Sequence, residues 1–253
     1  MLEFENLRAG YDGVERLHGL SAALPPGRLT AIIGPNGCGK TTLLKCAAGL
    51  LRPTGGQVRA QGAPIEALGV RERALRISYM PQSRLTPDIP VRQLAMHGRY
   101  PHLKWGQSPR RADQEIVDAA LERTGLTRFR NRSVLRLSGG ERQRAYLAMM
   151  LAQQAPIMLL DEPTAYLDLS SQFDLMELMQ SLRAEGKCVA VVLHDLALAL
   201  ESADELLLLT DGQIAFHGTS DDLFRSGALD RAFGVTTRRL DDGKFVFYPG
   251  MKR

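Results

Sequence analysis

Apolar residues recur along this chain with two different spacings, and the alternation between them outlines the fold. Residues 2–33 alternate apolar and polar positions between turn signals at Gly10, Asp12-Gly13 and Pro25-Pro26-Gly27, which predicts strands, several of them antiparallel. Thr30–Ile33 is a short β-rich run that ends in glycine. Thr41–Leu50 then reads as a helix, and Gly55–Gln61 and Leu75–Met80 read as strands. The texture changes after Pro81-Gln82. Ile116, Val117, Ala120, Leu121 and Thr124 fall on one face of a helix, and residues 139–154 repeat the pattern with Ala145, Ala148, Met149 and Ala152. Strands return at Ile157–Leu160, Cys188–Leu193 and Leu206–Leu209, with helical segments at 170–185 and 196–203.

Strand–helix–strand alternation predicts an α/β fold whose mostly parallel sheet is covered on both faces. An antiparallel β subdomain precedes it. Residues 83–137 read as a helical insertion between two parts of one core, 1–82 and 138–253. The apolar runs are far shorter than the ~18 residues of a spanning helix. The acidic start Met1-Leu2-Glu3-Phe4-Glu5-Asn6 is no signal peptide.

Composition changes little in this picture. Hydrophobic residues make up 44% and charged residues 24% of 253, ordinary for a globular chain. Three scattered cysteines form no CxxC pair, which points to a reducing compartment rather than to disulfides or zinc. The net charge is +4, with arginines gathered at Arg71, Arg73 and Arg76 and again at Arg123, Arg128, Arg130, Arg132 and Arg136. Such clusters suit a solvated face or an anionic partner.

Gly34-Pro35-Asn36-Gly37-Cys38-Gly39-Lys40-Thr41 fits GxxxxGK[ST] between a predicted strand and a predicted helix. Glycines there let backbone N–H groups turn inward on phosphate oxygens, and the helix adds its positive end. Lys40 can reach the β and γ phosphates, and Thr41 can hold Mg²⁺. The plainer alternative is a glycine-rich turn with no ligand. Asp161 and Glu162 end an apolar strand, the edge at which open α/β sheets collect ligands. Asp161 suits a water-mediated Mg²⁺ contact, and Glu162 suits general-base work on an attacking water. Acids after a strand also occur in ordinary turns. Leu137-Ser138-Gly139-Gly140-Glu141 holds a capping box, Ser138 at the cap and Glu141 three residues on. A cap does not require two glycines, which are costly inside a helix. They fit a helix end that an anion approaches closely.

The order P-loop, LSGG-type signature, strand ending Asp-Glu resembles the ABC transporter nucleotide-binding domain over essentially the whole chain. The resemblance implies a P-loop NTPase core that binds ATP with Mg²⁺ across Gly34–Thr42 and hydrolyses it. It also implies roles for other positions. Tyr11 matches the aromatic that stacks on adenine, and Gln82 matches the glutamine that contacts Mg²⁺ and senses the water. Asp168 matches the D-loop aspartate, and His194 the histidine that contacts the γ-phosphate. Ala165 departs from the serine common in relatives. Ser138, Gly139, Gly140 and Glu141 would act in trans, over the nucleotide of a second copy of the chain.

The implied partners are therefore a twin subunit, transmembrane permease subunits and, indirectly, a solute-binding protein, with the chain peripheral on the cytoplasmic face of the membrane. Gly98-Arg99-Tyr100-Pro101-His102 and Thr164-Ala165-Tyr166-Leu167-Asp168 look like the subgroup that energises uptake of iron–siderophore complexes, haem and vitamin B12. The early end of the chain, without a long regulatory domain, agrees. Two other readings stay open: an ABC ATPase acting on nucleic acid, which the arginine clusters permit, and a regulatory subunit that hydrolyses slowly if at all.

Overall fold

The computed structural model describes residues 1–250 apart from Arg84, Trp105 and Tyr166. The chain opens with β1 (Leu2–Tyr11) and β2 (Val14–Leu24), an antiparallel pair. Their turn places Asp12 at φ 50° and Gly13 at φ 79°, the double positive φ of a hairpin turn that matches strand twist. β3 (Arg28–Ile33) leaves this layer and ends at Gly34, and α1 (Lys40–Ala47) follows. β4 (Gly55–Ala60) returns to pair with β1, and β5 (Ala63–Pro64) extends the edge.

α2 (Val70–Arg76) and β6 (Ile77–Met80) come next. Helices occupy the stretch after β6: α3 (Val91–His97), a short turn at Tyr100–His102, α4 (Arg111–Arg123) and α5 (Gly139–Gln153). The alternation then resumes with β7 (Ile157–Asp161), α6 (Leu169–Ala184), β8 (Cys188–Val192), α7 (Leu196–Ser202), β9 (Glu205–Thr210) and β10 (Gln213–Gly218). The chain finishes with α8 (Ser220–Ser226), α9 (Ala228–Phe233) and the hairpin β11 (Val235–Arg239) and β12 (Phe245–Pro249).

The main sheet has the order β10-β9-β3-β8-β7-β6 and is parallel except for β10. Every residue of β7 and of β8 is buried, as expected for strands covered on both faces. One hydrophobic cluster lies between this sheet and the antiparallel layer and takes in α1; the other holds α3–α6 against the opposite face. The carboxyl ends of β3, β7 and β8 consequently deliver Gly34, Asp161 and His194 to one edge.

Two predicted elements shift. The strand predicted from Leu75 begins at Ile77, because Leu75 belongs to α2, which Glu72 opens by accepting the Gly69 N–H at 3.1 Å. The helix predicted to Leu50 ends at Ala47, where Gly49 adopts φ 66° and stops it. Among the described residues, no helix is long and apolar enough to cross a membrane. The first arginine cluster anchors loops: Arg71 donates to Pro101 O (2.7 Å), Arg73 to Gly49 O (3.0 Å) and Arg76 to Ala60 O (3.2 Å).

Leu159 sits at the centre of β7 with no exposed surface. Leu159→Ala should therefore cost about 2–5 kcal/mol, while Val14→Ala at an exposed position should stay within about 0.5 kcal/mol. Urea unfolding of the two variants checks this; equal midpoints would contradict the layered core.

Candidate nucleotide site

The loop after β3 is shaped by glycines at the two places where nothing else fits. At Gly34 (φ 150°) a Cβ would lie 2.1 Å from Leu209 O. At Gly39 (φ 109°) it would lie 2.7 Å from a Leu17 methyl carbon. The chain passes Gly39 into α1, whose start has no side-chain cap and no acidic residue in its first turn. That leaves N–H groups and the positive end of the helix dipole facing the cleft. Lys40 is buried, and its ammonium donates to Gly34 O (2.7 Å) and Pro35 O (2.9 Å), inside the ring of the loop. Cys38 is buried too, and burial pushes its thiol pKa up despite Lys40 nearby.

Acids face this positive loop. Asp161 is 1% exposed; it accepts from Thr41 Oγ1 at 3.2 Å and from the Tyr79 hydroxyl at 3.4 Å. Burial, with the Glu162 charge adding to it, raises the Asp161 pKa above the usual carboxylate range against those hydrogen bonds. Burial likewise raises the Tyr79 hydroxyl. Glu162 lies just past β7 with φ 52°, a left-handed conformation that is uncommon for such a residue and is found at functional sites. One carboxylate oxygen accepts from Gln82 Nε2 at 2.6 Å, and the other lies 2.5 Å from His194 Nε2. Gln82, Glu162 and His194, far apart in sequence, are thus in direct contact.

A cleft of about 440 Å³ is lined by Tyr11, Arg16, the loop residues Asn36, Gly37 and Lys40, and Thr41, Thr42, Gln82 and Glu162. Tyr11 is 40% exposed, and the Lys45 ammonium stands 5.6 Å from the centre of its ring. Arg16, Lys45 and Tyr79 were not singled out from sequence. Tyr79 carried a faint signal as the polar tip in an apolar strand next to Gln82. A larger cleft, about 630 Å³, lies among Arg123, Leu147 and Leu178. The start of α6 beside it is already capped, Asp168 Oδ1 accepting from Ser171 N at 2.8 Å.

The capping box at Ser138 is formed. Ser138 Oγ accepts from Glu141 N at 3.2 Å, and Glu141 Oε2 accepts from Ser138 N at 2.9 Å. The second bond, first among several, holds the Glu141 pKa below the usual range. Ser138 and Gly139 are exposed, and Gly140 would meet only a Leu167 methyl carbon at 3.4 Å if given a Cβ. The chain's own packing therefore does not demand glycine at 140. Among the described residues, none of Ser138–Glu141 lines the 440 Å³ cleft. Asp168 serves as the cap of α6; Tyr166, part of the same stretch, lies outside the described residues.

An uncapped, glycine-built helix start beside a strand-end acid pair defines a nucleoside-triphosphate-binding cassette. Comparison with known proteins agrees: the ABC transporter family profile matches residues 17–165, and the chain belongs to that family. It is 42% identical to the ferric enterobactin transport ATP-binding protein FepC of Escherichia coli (strain K12) over 95% of this chain and 90% of that protein. It superposes with a TM-score of 0.81 and 26% identity on an inward-facing metal-chelate-type ABC transporter, covering 98% of this chain and 95% of that one. A dimeric ATP-binding cassette holding ADP and phosphate after hydrolysis superposes at 0.77 with 27% identity, covering 87% and 99%.

The low Glu141 pKa sets a pH test. Because folding depresses it, its stabilisation is fully present above the unfolded pKa and is lost as pH falls through the folded one. Glu141→Gln should lower stability by about 0.5–1 kcal/mol at neutral pH, and the gap to the parent should close on acidification. A gap constant between neutral and strongly acid pH would contradict the assignment.

Proposed function

We propose that this chain is the ATP-hydrolysing subunit of an ABC importer and works as one of two copies that close around two nucleotides. The observation that carries the reading is the uncapped start of α1, with Lys40 inside its loop, facing the Gln82–Glu162–His194 group. An isolated phosphate site needs the first half of that arrangement; hydrolysis needs the second. The presence of both disfavours a regulatory subunit that does not hydrolyse.

The donors around Asp161 suit Mg²⁺. Thr41 and Asp161 offer hard oxygen atoms in contact, and Gln82, in the lining of the same cleft, carries an amide oxygen. That matches an ion held by a few side chains together with phosphates and water. Thr41, Asp161 and Gln82 would hold the ion, which would offset the negative charge that develops on the transferring phosphate.

The residues of this chain then divide the work. Tyr11 presents an aromatic face to adenine. Gly34–Thr42 holds the phosphates through backbone N–H groups and Lys40. Glu162 takes a proton from water as its oxygen bonds to the γ phosphorus and the bond to the β,γ-bridging oxygen breaks, leaving ADP and phosphate. His194 and Gln82 fix the carboxylate at both oxygens, so preorganisation supplies most of the effect. The signature at Ser138–Glu141 covers the nucleotide of the twin, with Asp168 at the shared seam. Gly140, unconstrained within its own chain, supports this reading.

Transport follows from the relatives. FepC is named for ferric enterobactin, and the inward-facing neighbour is of metal-chelate type. We assign this chain to import of an iron chelate or a related chelate, docked on permease subunits at the cytoplasmic face of the membrane through residues 83–137, with a solute-binding protein delivering the cargo. Nucleic acid is a poorer partner, since Arg71, Arg73, Arg76 and Arg123 direct donors at backbone carbonyls or, for Arg123, at Glu185 and Ser181.

Glu162→Gln should reduce phosphate release by about 10²–10⁴-fold while ATP binding persists, and should accumulate a dimer on gel filtration with ATP. Near-normal turnover in that variant would overturn the assignment.

A further inference from the structure

Gly98-Arg99-Tyr100-Pro101-His102 stands out in the sequence, yet it takes no part in the nucleotide cleft. Its contacts give it a mechanical task. Gly98 ends α3 against the backbone of α5; a Cβ there would lie 2.1 Å from Met149 O and 2.9 Å from Gln153 N. Arg99 is 5% exposed and pairs with Asp113 of α4 at 3.0 Å. Its Nη1 also donates to Ala152 O at 2.7 Å and to Gln154 Oε1 at 2.9 Å. His102 Nε2 lies 2.8 Å from Gln153 O. Ala152 O and Gln153 O belong to the last turn of α5, whose carbonyls have no partner within the helix and which attracts cations.

The same turn reaches the core. Gln153 Nε2 donates to Ala74 O (2.6 Å) and Ile77 O (2.9 Å), at the start of β6, the strand that leads to Gln82. One end of α5 is thereby fixed to α3, α4 and β6 together, and its other end carries Ser138. The helix has 15 residues, so it is about 22 Å long. A tilt of about 5° at the clamped end moves the signature by about 2 Å. Displacements of about 1 Å can cost about 10²-fold in rate.

We propose that Arg99, with Asp113 and His102, is a positioning clamp: it holds the carboxyl end of the signature helix and so sets where Ser138 meets the twin's nucleotide. The proposal rests on the functional reading above. Arg99 touches no reacting atom; it acts by tying the end of α5 to α4. Arginine is required because one planar group must satisfy a carboxylate and two further acceptors, which the single ammonium of lysine cannot span.

The test reads position directly. Spin labels are placed at Leu135→Cys, beside the signature, and at Asp12→Cys, on the β1–β2 turn; the native Cys38, Cys46 and Cys188 are buried. The parent should give one narrow distance. Arg99→Lys, and the double variant Arg99→Met with Asp113→Leu, should broaden or shift it by about 2 Å. In the same variants, made without labels, kcat should fall about 10²-fold with ATP affinity of the isolated chain within about twofold. An unchanged distance in both variants would overturn the clamp, and so would a loss of ATP affinity in step with kcat, the mark of general loosening. The distance needs no hydrolysis, so failure of the ATPase reading leaves it decisive; a parent chain that binds no ATP would strike that reading and not the clamp.

Discussion

The structure turns on a charge held where water is scarce. Lys40 lies buried at the start of a helix that offers its positive end and no acid to balance it. Burying an ammonium costs several kcal/mol unless oxygen atoms surround it, and here two loop carbonyls do so. That arrangement requires the loop to curl tightly, which is why Gly34 and Gly39 adopt conformations closed to other residues and press against Leu209 and Leu17. Across the cleft, Asp161 and Glu162 supply negative charge at the end of a fully buried strand. The sheet order brings the two together, because β3 and β7 both flank β8.

The two acids sit in different environments. Asp161 is sealed in and meets hydroxyls from Thr41 and Tyr79. Glu162, one residue on, turns into the cleft through a left-handed backbone and meets Gln82 and His194. A single chain direction thus yields one group suited to an ion and one suited to a proton. The signature helix completes the account from a distance: its start is a self-sufficient capping box that needs nothing from its own cleft, while its far end is tied down by Arg99 and His102.

Much of this was legible in the sequence. The layered α/β core followed from apolar spacing, since β7 and β8 are continuous apolar runs and α4 carries its buried residues on one side, whereas α5 is buried around most of its circumference, as a helix packed among α3, α4 and the sheet must be. The Ser138–Glu141 box needs only local geometry, so residue type and spacing sufficed to predict it. That Gln82, Glu162 and His194 belong to one site was implied by resemblance and not by spacing, and their direct contact appears only in the fold, because only the sheet brings positions 82, 162 and 194 to one edge. Tyr79 and Arg16 escaped notice for the same reason: the Asp161 partner of Tyr79 and the cleft that Arg16 lines are both assembled by the fold. The carboxyl-terminal segment from β10 to β12 was not read at all, as its short elements alternate weakly and take their order from packing on the core. The arginine run at 71–76, open to an electrostatic reading, proved to consist of donors to nearby carbonyls.

The central claim is that the Lys40 cradle grips a triphosphate that the Ser138 helix of a second copy covers. A crystal structure of the Glu162→Gln chain with ATP and Mg²⁺ tests it most directly. The account predicts the γ-phosphate within hydrogen-bond distance of Lys40 in one copy and of Ser138 in the other. Phosphates bound elsewhere, or Ser138 facing away from them in every subunit contact, would contradict it.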